Sequence, residues 1–264
     1  EEMCKNEPFR LHSYGEEKEV AGISAESLAE YYRKVLSEDK LDLFIVGDIE
    51  EDEVISIVSD AFDFPNRQER PSGQTLISNE IPEPKVVTES EDIEQGKLNL
   101  GYRTFTKYAD QDYFSLVVFN GIFGGFPHSK LFVNVREKAS LAYYASSRVE
   151  SHKGLLLVFS GIQTDNYEKA SAIIKEQMEK MQDGDFSEEE FQQTKAMLTH
   201  QILDTVDSAR GTIEFIYNGI VGGGERSVEE WMEGVKMVTK EDVVRLANKI
   251  KLDTTYFLKG KEAS

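Results

Sequence analysis

Apolar positions recur along the chain with two periods, and the switches between them predict a protein of helices and strands. A helix opens at Ser24 with Leu28, Tyr31, Tyr32 and Val35 on one face, and the apolar run Leu41 to Val46, stopped by Gly47, reads as a buried strand. A second helix runs from about residue 50 to 62. Residues 85–89 and 97–103 read as strands, Leu98, Leu100 and Tyr102 alternating with polar neighbours as a half-buried strand requires. The stripe Phe114, Val117, Val118, Ile122 predicts a helix over 112–122, which a glycine turn at Gly124-Gly125 separates from a shorter helix over 129–138. Strands over 141–149 and 154–161 follow, joined as a hairpin through Glu150-Ser151-His152-Lys153. The remainder is mostly helical: a helix over 166–181, a long one opening at the Ser187-x-x-Glu190 capping box, and further starts at Ser227-x-x-Glu230 and Thr239-x-x-Asp242. The chain closes on a strand over 254–258.

The stretch from Pro65 to Pro84 changes composition to Asn66, Arg67, Gln68, Pro71, Ser72, Gly73 and Pro82, as an exposed linker does. An internal echo gives this boundary meaning. The Ser24-x-Glu26-x-Leu28 helix feeding a strand that ends at Gly47 recurs as Thr239-x-Glu241-x-Val243 with a strand ending at Gly260. The helix starts stand 215 positions apart (24 to 239) and the glycines 213 (47 to 260). The expected organisation is an α+β fold of antiparallel sheets covered by helices, built as a duplicated domain. Residues 1–64 would be the C-terminal portion of a first domain lacking roughly 130 upstream residues, 65–84 a linker and 85–264 a complete second domain.

Composition narrows the function classes. A formal net charge of −19 repels phosphate backbones and anionic lipid, which argues against nucleic-acid and membrane-surface roles and mildly favours a basic substrate. Acidic helix faces that only keep the protein soluble are the plainer alternative. The longest apolar run falls far short of the roughly 20 residues that span a bilayer, and no signal peptide is visible at the start. With Cys4 alone, neither an intrachain disulfide nor a cysteine zinc site is possible, which suits a reducing, cytoplasmic setting.

One segment carries a resemblance. The run Asn120-Gly121-Ile122-Phe123-Gly124-Gly125, then Ser129-Lys130-Leu131-Phe132, then Val135-Arg136-Glu137-Lys138-Ala139-Ser140-Leu141-Ala142-Tyr143 resembles the second halves of the inverzincin metallopeptidases, which include pitrilysin, insulin-degrading enzyme and mitochondrial processing peptidase. The stretch Pro8-Phe9-Arg10-Leu11-His12-Ser13-Tyr14-Gly15 with the Ser24 helix and the run into Gly47-Asp48 is similar to the close of the family's first domain. The resemblance therefore covers nearly the whole chain, and within bacteria it extends to paired genes of which one lacks the zinc motif.

The resemblance implies a zinc-dependent peptide hydrolase whose His-x-x-Glu-His helix and downstream Glu hold the metal and activate a water. His12, His128, His152 and His200 are too scattered to form that motif, so zinc is expected in the intact parent or a partner, and none in this chain. Arg136 and Tyr143 match the family's Arg and Tyr, which reach across a closed chamber toward the zinc site; the phenol can hydrogen-bond an oxyanion and the guanidinium can fix the substrate backbone. The plainer alternative pairs Arg136 with an acidic neighbour and packs Tyr143 half-buried in a strand. Gly124 and Gly125 become candidate substrate-facing positions, with an ordinary turn as the alternative.

Other candidates point elsewhere. Gly222-Gly223-Gly224 lacks the Lys-Ser or Lys-Thr of a phosphate loop and reads as a helix C-cap, His128 has no aspartate nearby in sequence, and Asp204 and Asp207 read as a solvated face. The sequence thus points to the C-terminal part of a processing-peptidase-like protein that binds peptide with a missing N-terminal half or a homologous subunit, as a hetero- or homodimer. The alternatives are a non-catalytic partner subunit of an active paralogue and a small-molecule regulatory module.

Overall fold

A computed structural model describes residues 2–62, 67, 80 and 83–260. Most of the proposed linker lies outside the described residues.

From Lys85 onward the chain builds a single five-stranded sheet. Its strands are β1 (Lys85–Glu91), β2 (Gly96–Arg103), β3 (Ala142–Glu150), β4 (Leu155–Ile162) and β5 (Lys251–Gly260), in the order β1-β5-β2-β4-β3. The last strand therefore sits inside the sheet. It runs antiparallel to β2 and parallel to β1, so one pair departs from the expected all-antiparallel arrangement. The remaining pairs, β2–β4 and β3–β4, are antiparallel.

Alternation along β2 and β4 decides which face is sealed. Leu98, Leu100 and Tyr102 of β2 and Leu156, Val158 and Ile162 of β4 are buried on one side. There they meet Leu116, Val118 and Phe119 of α4 (Tyr113–Asn120), Ile174 and Met181 of α5 (Tyr167–Asp183), and Val243 and Leu246 in what becomes α9 (Lys240–Lys249). Helices α6 (Glu188–Val206), α7 (Ala209–Gly222) and α8 (Val228–Met237) form a further layer, with Leu198 and Trp231 buried against α4. Each large side chain sealed in this way contributes on the order of 1.5–3 kcal/mol before entropy is counted.

The capping signals act as the sequence implies. Ser187, Ser227 and Thr239 each accept from the backbone N–H three residues on, and Glu190, Glu230 and Asp242 return the bond to the cap N–H. Gly223, at φ +68°, closes α7 in the left-handed conformation, a C-cap and not a phosphate cradle. Two helices differ from expectation. α4 does not stop before Gly124-Gly125 but continues through Gly121–Gly125 as a π-helix, and the short helix predicted over 129–138 is π-helical from Phe132 to Lys138.

The N-terminal residues behave differently. α1 (Glu17–Ala21), α2 (Ala25–Glu38) and α3 (Glu51–Ala61) contain no buried residue. Ser24 caps α2 as expected, accepting from Ser27 N–H at 3.1 Å. The apolar stripe it opens, Leu28, Tyr31 and Tyr32, is nevertheless exposed, as are Ile55 and Ile57 of α3. The expected buried strand over 41–46 is not formed: Leu41, Leu43, Ile45 and Val46 are exposed and pair with no strand among the described residues. A strand exists only through its neighbours, and this segment's counterpart in the echo, β5, holds its place by having one on each side.

The two regions should therefore answer differently to truncation. Phe119→Ala is expected to cost about 3–5 kcal/mol in equilibrium denaturation, whereas Leu28→Ala should stay within about 0.5 kcal/mol. Equal losses at both positions would contradict the burial described here.

Candidate functional site

The site is organised by β3, the strand at the sheet's edge. The chain enters β3 from the π-helical segment Phe132–Lys138, which is anchored from beneath. Val135 is fully buried, and Asn134 Nδ2 donates to Gln177 Oε1 of α5 at 2.9 Å and to Lys130 O at 2.8 Å. Leu141 N–H donates back to Val135 O at 3.1 Å, closing the turn. Ser140 takes φ +54°, a conformation that L residues other than glycine rarely adopt, and its hydroxyl donates to Glu137 O at 3.3 Å.

This turn brings Arg136 and Tyr143 to the rim of one open pocket of about 430 Å³, together with Ser140, Leu141, Ala142, Gln163 and Asn166. Arg136 lies over the Phe132 ring, 4.5 Å from its centroid, and has no ion pair among the described residues. Its planar donors therefore face solvent. Tyr143 is 63% exposed. It is also the extra residue where the β3–β4 register shifts, since Ala142 pairs with Ile162 and Tyr144 with Gly161. A bulge of this kind re-aims the side chain it releases from the ladder. Against the plainer alternative, Arg136 makes no ion pair with an acidic neighbour among the described residues, and Tyr143 is exposed.

Gly124 and Gly125 do different work. A Cβ on Gly124 would stand 2.5 Å from Ser147 Oγ and 2.6 Å from Ser147 N, so glycine is what lets the π-helical extension of α4 touch β3. Ser147 Oγ fixes this contact by donating to Asn120 Oδ1 at 2.8 Å. Gly124 is thus a packing position. Gly125 is exposed and lines a second groove, about 590 Å³, between the far half of β3 and helices α6 and α7, with Ser147, His152, Gln201 and Asn218 among its walls. The structure therefore joins Arg136 to Tyr143 at the start of β3 and leaves Gly125 in a separate groove toward its end. Of that second groove's lining the sequence had singled out only Gly125 as a candidate substrate-facing position, because its other walls come together only in three dimensions.

His128 Nε2 meets Thr194 Oγ1 at 2.9 Å and stacks on Phe126; burial lowers its pKa and so favours the neutral ring. His152 stacks on Tyr108 and meets Asn218 Oδ1 at 3.2 Å. Among the described residues no three His, Cys, Asp or Glu side chains converge as metal ligands, so the residues present do not fit zinc. No described helix is long and apolar enough to cross a membrane.

Two substitutions test how the site is held. Gly124→Ala should destabilise by about 1–3 kcal/mol through the clash with Ser147. Ser140→Val should cost a similar amount, about 1–3 kcal/mol, while Ser140→Gly should be neutral or stabilising. Thermal unfolding distinguishes these outcomes, and a harmless valine at 140 would contradict the left-handed turn.

Comparison with known proteins agrees with this architecture. Residues 22–198 match the family described as Peptidase M16 inactive domain. Across its whole length the chain is 50% identical to a Bacillus subtilis protein named probable inactive metalloprotease YmfF, of which it covers 62%. It superimposes on a conserved protein from Enterococcus faecalis V583 with TM-score 0.85 and 37% identity, covering 97% of this chain and 60% of that one. A peptidase M16 inactive domain from Pseudomonas fluorescens shares the fold with TM-score 0.72 at 16% identity, over 96% of this chain and 62% of its own. The chain thus spans about three fifths of the length of these relatives. The sequence motif, the sheet with its helical layers and the family match agree: the chain belongs to the M16 peptidase family, to the part of it known as the inactive domain.

Proposed function

We propose that this chain supplies one wall of a two-domain, peptide-binding chamber and presents Arg136 and Tyr143 to a peptide whose scissile bond is held by the other half. Residues 1–64 belong, in this reading, to the first domain, and 85–264 form the second. The observation that carries the proposal is that a π-helical segment, a left-handed turn and a β-bulge bring Arg136 and Tyr143 to one open rim, where Arg136 lies on the Phe132 ring and has no ion-pair partner among the described residues. π-helical segments and bulges interrupt regular hydrogen bonding and recur at functional sites.

The chemistry follows from the side chains. An extended peptide presents carbonyl oxygens, which the planar guanidinium can bind through parallel N–H donors. The phenol of Tyr143 can donate one hydrogen bond to the oxygen that gains negative charge when a carbonyl is attacked. Neither group can activate water, so in this reading the hydrolytic machinery, with the family's zinc, is supplied by an N-terminal half or by a homologous subunit. The single cysteine is consistent with a cytoplasmic location.

A second reading is favoured by one observation: the relative that is 50% identical is named a probable inactive metalloprotease. On this reading the chain is part of a non-catalytic subunit that completes the chamber of an active paralogue. Zinc analysis of the full-length protein separates the two, about one ion per chain indicating a metallopeptidase and none a partner subunit.

Both readings assign the pair the same work, tested in the active full-length assembly. Tyr143→Phe should lower turnover by about 10- to 1000-fold, the scale for losing one oxyanion donor. Arg136→Lys should also impair it, because an ammonium cannot reproduce the guanidinium fork. Unchanged turnover in both variants would remove the pair from the mechanism.

A further inference from the structure

The face of the sheet opposite the helices is crossed by the beginning of the chain, and the crossing is built around a buried cation. Arg103, at the end of β2, is 5% exposed. Its Nε donates to Asp253 Oδ2 on β5 at 2.9 Å, its Nη1 pairs with Glu7 Oε1 at 2.5 Å, and its Nη2 donates to Met3 O at 3.0 Å. The Glu7 side chain is 10% exposed, and its second oxygen has no hydrogen-bond partner among the described residues, so its partial burial rests on Arg103. Beside this triad Met3 lies against Gly101, where a Cβ would stand 2.4 Å from the Met3 sulfur. Lys85 of β1 donates to Glu2 O at 2.5 Å. Residues 2–7 are thus fastened at β1 and β2 by charge, hydrogen bonds to backbone carbonyls and shape, and Asp253 of β5 steadies the guanidinium they hold.

We propose that residues 2–7 form a strap that ties the N-terminal segment to the sheet domain, with Arg103 as its positioning residue. The sheet domain then holds the start of the N-terminal segment through the strap, besides the covalent connection that leads into β1 and the single ring contacts of Phe9 with Lys153 and Phe44 with Tyr217. Rotation about the connection alone is blocked, because it would pull Glu7 off a buried guanidinium, leaving Glu7 without its cation and Arg103 with Asp253 alone. On the two-domain reading proposed above, the angle between the halves is therefore set by the strap, and the chamber opens only when the strap lets go. The strap itself rests on the contacts named here and not on that reading.

Cys4 makes the idea measurable. It is the chain's single cysteine, lies within the strap and is buried at 6% exposure. In the native chain a small aromatic disulfide reagent should label Cys4 far more slowly than in the urea-unfolded chain. Glu7→Gln should raise the labelling rate at least about tenfold, and Met3→Ala should raise it less, while the β2 amides of Leu98 and Leu100 keep their protection from hydrogen exchange. Three results would overturn the proposal: native labelling as fast as unfolded labelling, no acceleration in Glu7→Gln, or loss of β2 protection together with Cys4 protection. The experiment uses neither peptide nor the other half, so its failure leaves the Arg136–Tyr143 reading standing, and the failure of that reading leaves the strap.

Discussion

The rest of the structure depends on how β3, a strand with only one neighbour, is kept in place. An edge strand has half the ladder of an inner one and must be fixed by what packs beneath it. Here that support is the π-helical continuation of α4, brought within reach by Gly124 and fastened by the bond from Ser147 to Asn120. Phe119 and Phe123 drive the same helix into the core. With the middle of β3 held, its first residues are free to break register, and the bulge at Tyr143 costs the sheet little. The candidate site is therefore a local irregularity standing on a rigid support, with the pocket rim and the support on the same strand.

Much of this was legible in the sequence where the physics is local. Capping boxes at Ser187, Ser227 and Thr239 are three-residue hydrogen-bond patterns, and all three form. Alternation in β2 marks the buried face because one side of the sheet is dry. What failed to show depends on distant partners. The apolar run over 41–46 states what that segment would bury if neighbours were present, and says nothing of whether they are. The position of β5 between β1 and β2 and its parallel pairing with β1 are decisions of topology, which periodicity does not record.

The same division holds for functional residues. Arg136 and Tyr143 were legible through a motif, whereas the π-helical hydrogen bonding and the bulge that aim them were not, since both leave the residue pattern of an ordinary helix or strand in place. Gly124 looked like a turn and proved to be a contact point, because one missing Cβ serves either purpose. The Arg103 clamp joins residues 150 apart on one side and 100 on the other, so nothing near Arg103 in sequence announces it.

The central claim is that the rim carrying Arg136 and Tyr143 faces bound peptide. It is tested most directly by photo-crosslinking in the full-length protein, with the photoreactive residue p-benzoylphenylalanine placed at position 143 and, as a control, at Met237, an exposed residue on α8 remote from the pocket in sequence and lining. The account predicts that a bound peptide crosslinks to position 143 and not to 237. Peptide that binds yet crosslinks to neither position, or to both alike, would contradict it.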